Sequence, residues 1–265
     1  MTDWVIFATC LLAGLLIGSF LNVVIHRGPA QWKLVDSSDR GTLVSPRSYC
    51  PDCKAPISSI HLIPLLGFAV LRGKCATCAS RIPIRYPLVE LMGGLAGIIA
   101  VAIFGFSTTA LLAALFFWFL IALSFIDFET GYLPDALTIP LIILGLAANV
   151  IDLFTSFPNA LIGAAVGYLV FRLIGAAFHR LRGLEGLGQG DAKLLAALGA
   201  WLGWLALAPI VFTAAILALG AVGALRLSGK KIAGDTPIPF GPALGAAGAL
   251  AMVANGLDLP AYYWR

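Results

Sequence analysis

Eight stretches of this sequence stay apolar for about the length that crosses a lipid bilayer, and that leaves few folds open to it. They cover residues 4–25, 86–104, 108–126, 136–153, 158–178, 192–206, 208–225 and 239–256. Inside hydrocarbon every backbone N–H and C=O must find its partner within the segment, so such stretches fold as helices. Charged residues make up 11% of the chain and the mean hydropathy is +0.96, whereas a soluble domain carries about a quarter charged residues. The expected fold is an all-α polytopic membrane protein of about eight transmembrane helices. Only a short break from Ala200 to Pro209 separates the sixth window from the seventh. The first window is too long for a signal peptide and lacks its small-residue cleavage site, so it is read as a retained helix.

Basic residues near helix ends stay on the cytoplasmic side, and here they fall on one set of alternate loops. With the N-terminus outside, the first inside loop, 26–85, holds Arg27, Lys33, Arg40, Arg47, Lys54, Arg72, Lys74, Arg81 and Arg85. Arg172, Arg180, Arg182 and Lys193 surround the next inside loop, and Arg226, Lys230 and Lys231 the third. Of the 17 Lys and Arg residues only Arg265 falls elsewhere. The net charge of +4 is therefore a topology signal and not a nucleic-acid footprint; the basic inner surface also suits contact with anionic lipid.

The loop divides the chain into a first helix over 1–25, a small cytoplasmic domain over 26–85 and a seven-helix membrane domain over 86–265. The loop contains Cys50-Pro-Asp-Cys53 and Cys75-Ala-Thr-Cys78. Two such C-x2-C pairs supply four thiolates for one tetrahedral zinc ion, and in a reducing compartment metal binding is favoured over disulfides. A domain of only about sixty residues buries little apolar surface, so the zinc is expected to be structural. Cys10, inside the first helix, reads as a small buried hydrophobe. The run from His61 to Arg72 is too apolar for an exposed loop and is expected at the membrane interface or packed on the bundle. His26 and His61 are read as structural. Gly18 and Ser19 are read as helix-packing positions, and Asn22 as a brace for the following loop. Glu90, one turn inside the second window, needs a partner such as Arg85 or the donors of a helix start.

Two acids stand out. Asp127 follows the apolar run Leu111–Ile126, and Asp191 opens the sixth window within Gly186-Leu-Gly-Gln-Gly-Asp-Ala-Lys193. An ionisable group at the edge of a spanning segment is costly and marks a functional site. Gly188 and Gly190 leave room beside Asp191 for a tight turn or a close backbone. Two aspartates at matching depth suit aspartic-protease chemistry, one ionised to deprotonate water and one protonated to act as acid. Of their neighbours, Glu129 is read as solvated, Asp135 as a helix N-cap and Lys193 as a residue snorkelling to the surface. The alternative is a proton- or cation-coupled transporter using Asp127 and Asp191 as a relay, against which no inverted repeat is visible.

Six motifs in order give the chain a specific resemblance. Gly18-Ser-Phe-Leu-Asn-Val-Val-Ile-His-Arg27, the two C-x2-C pairs, Arg85-Tyr-Pro-Leu-Val-Glu90, Ile126-Asp127 with Leu133-Pro-Asp135, Gly188-Gln-Gly-Asp191-Ala-Lys193 and Pro239-Phe-Gly-Pro242 resemble the bacterial prepilin peptidases. These are bifunctional type IV leader peptidases and N-methyltransferases of the GxGD aspartic protease family A24. The resemblance implies that Asp127 and Asp191 are catalytic and that Gly188 and Gly190 shape the motif. It implies prepilin or pseudopilin substrates of a type IV pilus or type II secretion system, cut after a glycine on the cytoplasmic side of the inner membrane. It further implies methylation of the new N-terminus with S-adenosylmethionine, and makes Cys50, Cys53, Cys75 and Cys78 the cysteines of the bifunctional members. The acids Asp127, Glu129, Asp135, Glu185 and Asp191 would face the substrate's basic leader. Leu62 stands where the family usually has an asparagine before Ile-Pro, a departure that bears on methylation. The residues themselves do not place the S-adenosylmethionine site.

Overall fold

A computed structural model describes residues 3–36, 40–182, 188–228 and 239–259. Glu185, Gly186, Leu187, Lys230, Lys231 and Arg265, all used above, lie outside them. The described residues are helical, with the polypeptide divided into two compact units, Met1–Ala122 and Leu123–Arg265. Each apolar window coincides with a helix, but they differ in length. Five helical segments are long and apolar enough to cross a membrane: α1 (Asp3–Gln31), α3 (Arg85–Phe104), α4 (Thr108–Thr130), α6 (Phe157–Arg182), and α8 (Leu207–Leu227) with the 3-10 turn before it. The other three windows form α5 (Asp135–Asn149), α7 (Gln189–Leu202) and α9 (Gly241–Gly256), of 15, 14 and 16 residues. At 1.5 Å per residue these measure about 21–24 Å. The break between α7 and α8 is set by Gly203, whose φ of +81° ends α7 and is strained for any other residue.

In the first unit α1 and α3 approach closely because glycines face each other. A Cβ at Gly18 would stand 2.7 Å from the Glu90 Cα, and one at Gly93 2.7 Å from the Gly14 carbonyl. Small residues on facing helices are how apolar helices gain packing where no hydrophobic drive exists, so the packing role expected of Gly18 holds. Asn22 braces the start of α3 rather than the following loop, donating to the Tyr86 carbonyl at 3.0 Å. Helix α1 runs past the expected boundary at residue 25 and carries Arg27 into the polar insertion. There the buried guanidinium donates to the carbonyls of Thr42 (2.9 Å), Pro46 (2.6 Å) and Arg47 (3.3 Å). One side chain thus satisfies three loop carbonyls that have no helix or sheet to pair with. The apolar run after His61 folds as a 3-10 turn, Ser59–Leu62, and the short helix α2 (Leu66–Val70). It is tied to α3 by the Leu65 N–H, which donates to the Glu90 carboxylate at 2.8 Å. Ile60, Leu66 and Val70 remain exposed. Glu90 thus takes the donor at the start of a helix, the N-cap N–H of α2, and Cys10 is only half-buried.

The second unit is built around α7, which is buried along almost its whole length from Ala192 to Leu202. A helix apolar on every side belongs in a core, and α5, α6 and α9 surround it. A Cβ on Gly199 would fall well inside contact distance of the Gly163 backbone on α6, and one on Gly167 would reach the Leu195 carbonyl at 2.7 Å. At the far end of α7 the Trp201 indole donates to the Leu141 carbonyl at 2.8 Å. There the Asn149 amide donates to the carbonyls of Ala200 and Trp201 and accepts from the N–H groups of Phe154 and Thr155. These bonds fix the axial position of α7, and with it the residue at its opposite end. Gly199→Ala is expected to lower the thermal midpoint of the protein, since the obstructing atoms are backbone and overpacking costs about 1–3 kcal/mol. Gly220→Ala on α8, where nothing lies within 4 Å, serves as the matched control and should not lower it. Equal midpoints for the two variants in one detergent would refute this packing account.

Candidate active site and thiol cluster

Asp127 lies near the end of α4 and is only 5% exposed. The helix turns off just beyond it, where Gly131 at φ +71° donates its N–H to the Asp127 carbonyl at 2.8 Å. The carboxylate in turn accepts the backbone N–H of Gly241 at 2.9 Å. Gly241 is the first residue of α9, and the first N–H groups of a helix have no intrahelical acceptor. The orphan donor and the positive end of the helix dipole together suit an ionised carboxylate. The approach is possible only for glycine, since a Cβ on Gly241 would stand 2.6 Å from Asp127 Oδ2.

Asp191 is the third residue of α7, with Gly188 as N-cap, and the Gly188 N–H supports its carboxylate. An acid at this position reaching back to the N-cap N–H is half of a capping box. Burial holds its pKa above the ordinary value, to about 6, and the nearby charge of Asp127 adds to the rise. The two aspartates are therefore in electrostatic contact although 64 residues apart in sequence. Gly188 has φ −66° and ψ 143°, open to any residue, so its room is not used for a turn; Gly190 is pressed by a side chain, Leu133, 2.8 Å from where a Cβ would lie. Among the described residues, a backbone that comes close to a site carboxylate is found at Gly241.

Two neighbours differ from their sequence readings. Asp135 is not an N-cap: Pro134 occupies that position and makes no side-chain cap. Asp135 forms an ion pair with Lys193, which therefore links the starts of α5 and α7 instead of snorkelling. Glu129 is exposed on the last turn of α4, as expected. Gly241 is the site residue that sequence reasoning did not single out. Its signal was the Phe240-Gly-Pro242 step, in which a glycine just before a proline opens an apolar helix.

The thiol cluster belongs to the first unit. The two C-x2-C segments fold alike: the N–H of Cys50 donates to the Ala55 carbonyl at 2.9 Å and that of Cys75 to Ser80 at 2.8 Å. Lys54 and Ala79 both take φ +58°. These matched turns bring the sulfurs of Cys50, Cys53, Cys75 and Cys78 within 4.8 Å of one another, with none of the cysteines in a disulfide. Four thiolates around a tetrahedral metal at about 2.3 Å would be some 3.8 Å apart, and Cys50 and Cys78 Sγ lie at 3.9 Å. Hydrogen bonding from the Cys53 backbone lowers the Cys50 pKa to about 6, favouring the thiolate a metal requires. The Thr77 N–H also reaches the Cys75 sulfur, at 3.4 Å. The cluster fits a four-coordinate metal.

Fold and site together define a multi-pass helical membrane protein with a buried Asp127 and a half-buried Asp191 near it. The Bacterial Peptidase A24 N-terminal domain matches residues 12–104, and the Type IV leader peptidase family matches residues 114–223. A "Prepilin leader peptidase/N-methyltransferase" of Burkholderia pseudomallei is 43% identical over 258 residues, covering 91% of this chain and 83% of the relative. Proteins of the same description from Aeromonas hydrophila and Neisseria gonorrhoeae are 43% and 41% identical, each over 91% of its own length and over 94% and 95% of this chain. No solved structure matches. The chain belongs to the type IV leader peptidase family, and the transporter reading finds no support among these relatives. Gly241→Ala is expected to cut peptidase turnover by about tenfold or more, with KM little changed, because it displaces the carboxylate that binding does not require. Unaltered turnover would show that the Asp127–Gly241 contact does not matter to the reaction.

Proposed function

We propose that this chain is a bifunctional prepilin leader peptidase and N-methyltransferase. It cuts the basic leader of type IV prepilins or pseudopilins after a glycine and then methylates the new N-terminus. The observation that carries the peptidase half is the pairing of Asp127, held by the Gly241 N–H, with Asp191, whose pKa is raised by burial and by Asp127. Each carboxylate accepts one backbone N–H, and because burial and the Asp127 charge raise the pKa of Asp191 to about 6, Asp191 is the member that carries the proton; the two titrate as a pair. Asp127 takes a proton from water as its oxygen attacks the scissile carbonyl, and Asp191 gives its proton to the carbonyl oxygen. Collapse of the tetrahedral diol returns that proton to Asp191 while Asp127 protonates the departing amine, which restores both groups. Gly188 caps the helix that carries Asp191, and Gly190 leaves the room in which Leu133 packs against its first turn. Asp135 and Glu129, with Glu185, add negative charge that attracts the leader's Lys and Arg.

The topology that accompanies this reading has eight spans in the inner membrane, the N-terminus outside and 26–85 in the cytoplasm, with 1–25 as the first helix and 86–265 as the peptidase domain. Support comes from the one-sided distribution of Lys and Arg. The short α5, α7 and α9 are compatible with it, because helices enclosed by protein need not match the hydrocarbon thickness of about 30 Å. Zn2+ is the metal that four thiolates select, in a closed structural site. S-adenosylmethionine supplies the methyl group, and membrane lipid contacts the basic cytoplasmic surface.

Purified protein should cleave and methylate a prepilin. Asp127→Asn and Asp191→Asn should each lose cleavage by about three orders of magnitude or more, and residual cutting near wild-type rates would overturn the pair. Cys50→Ser should release metal, read by elemental analysis as less than one zinc per chain, and should lose methylation well before cleavage. Because the raised pKa of Asp191 keeps its proton above the range of ordinary carboxylates, kcat/KM for cleavage should fall as pH rises through about 6 or somewhat higher. A profile flat from about pH 5 to about pH 8 would contradict a protonated Asp191.

A further inference from the structure

The first unit encloses a cavity of about 410 Å³ between α1, the start of α3 and the polar insertion. That lies within the range of small-molecule sites, about 300–1,000 Å³. Its walls include Ser19 and Asn22 of α1, Tyr49 and Cys50 of the first C-x2-C segment, and Tyr86 and Glu90 of α3. Asn22 is 4% exposed, and while its amide N–H2 is used, its Oδ1 has no hydrogen-bond partner. An orphaned buried acceptor is costly, and persists most simply where a ligand supplies the donor. Glu90 is anchored by the Leu65 N–H at 2.8 Å, so its carboxylate is fixed in the cavity wall. Arg81 adds a cation to the same lining.

We propose that this cavity binds S-adenosylmethionine, the Asn22 Oδ1 accepting from the adenine amino group and the Glu90 carboxylate facing the sulfonium. The proposal rests on the methyltransferase reading above and names its site. The chemistry matches part by part. A sulfonium is a compact cation, attracted by a fixed carboxylate. The methionine carboxylate of the same ligand finds the Arg81 guanidinium. Adenine offers the N–H donor that Asn22 lacks and a ring to lie against a tyrosine. Cys50 belongs both to this wall and to the metal cluster, so the metal holds one side of the cavity in shape. Leu62, the residue that departs from the family pattern, also lines it, so an apolar contact here replaces an amide without removing the two polar groups that recognise the ligand.

The test is equilibrium binding to the full-length, metal-loaded protein in nanodiscs, with S-adenosylmethionine and S-adenosylhomocysteine as probes, followed by ultraviolet cross-linking of the former and peptide mapping. Glu90→Gln keeps the hydrogen bond to Leu65 but removes the charge. It should weaken S-adenosylmethionine by about tenfold and the uncharged thioether S-adenosylhomocysteine far less. Asn22→Leu should weaken both probes, and retained prepilin cleavage certifies the fold of each variant. The cross-link should map to peptides bearing Tyr49 or Tyr86. Wild-type affinity in both variants, or a cross-link outside Met1–Ala122, would overturn the assignment while leaving the methyltransferase reading intact. A wild-type protein that binds neither probe would refute that reading, and the assignment with it.

Discussion

A carboxylate buried in a helical bundle needs something to offset its lost hydration, and the second unit is arranged around that requirement. Asp127 has one backbone donor, the first N–H of α9, and only a glycine lets it come close enough. Asp191 has another, the N-cap N–H of its own helix. Neither support neutralises both charges, and the cost of ionising two acids together raises the pKa of Asp191 to about 6. The packing of α7 follows from this. A helix whose N-terminal residue must meet a fixed partner cannot slide, and the Gly163–Gly199 contact together with the Asn149 and Trp201 bonds holds it at the other end.

The first unit solves a different problem. Among its described residues the polar insertion has only two isolated bridges, Tyr49 with Pro56 and Lys74 with Arg81. Arg27 gathers the carbonyls of one part, and the four sulfurs gather the other. A segment this small has too little apolar area to fold by burial alone, so directional bonds and the four-cysteine cluster take over that role. The same arrangement leaves a walled cavity between the insertion and the helices.

Much of this was legible in the sequence because it rests on local pattern. The apolar windows located the eight long helices, the C-x2-C spacing located the thiol cluster, and Asp127 and Asp191 stood out by being acids at the ends of apolar runs. What stayed illegible depends on contacts distant in sequence. Nothing around Gly241 says that it meets a residue 114 positions earlier. Arg27 read as one more basic residue at a helix end, yet it is buried and organises the loop that follows. Asp135 after proline looked like a cap, but the presence of Lys193 across the helix pair gave it a stronger partner. Helix length was the other gap, since hydropathy does not register the glycine with positive φ that stops α7 at Leu202.

The central claim is that Asp127 and Asp191 interact strongly enough to share a proton. Infrared spectra of protein labelled with 13C-aspartate, titrated with pH, report the carboxylic acid band of Asp191, identified by its loss in Asp191→Asn. The account predicts that this band persists to about pH 6 and disappears at lower pH in Asp127→Asn, because removing a neighbouring negative charge lowers the pKa of the remaining acid. A band that titrates like an ordinary carboxylate, or at the same pH in both proteins, would contradict it.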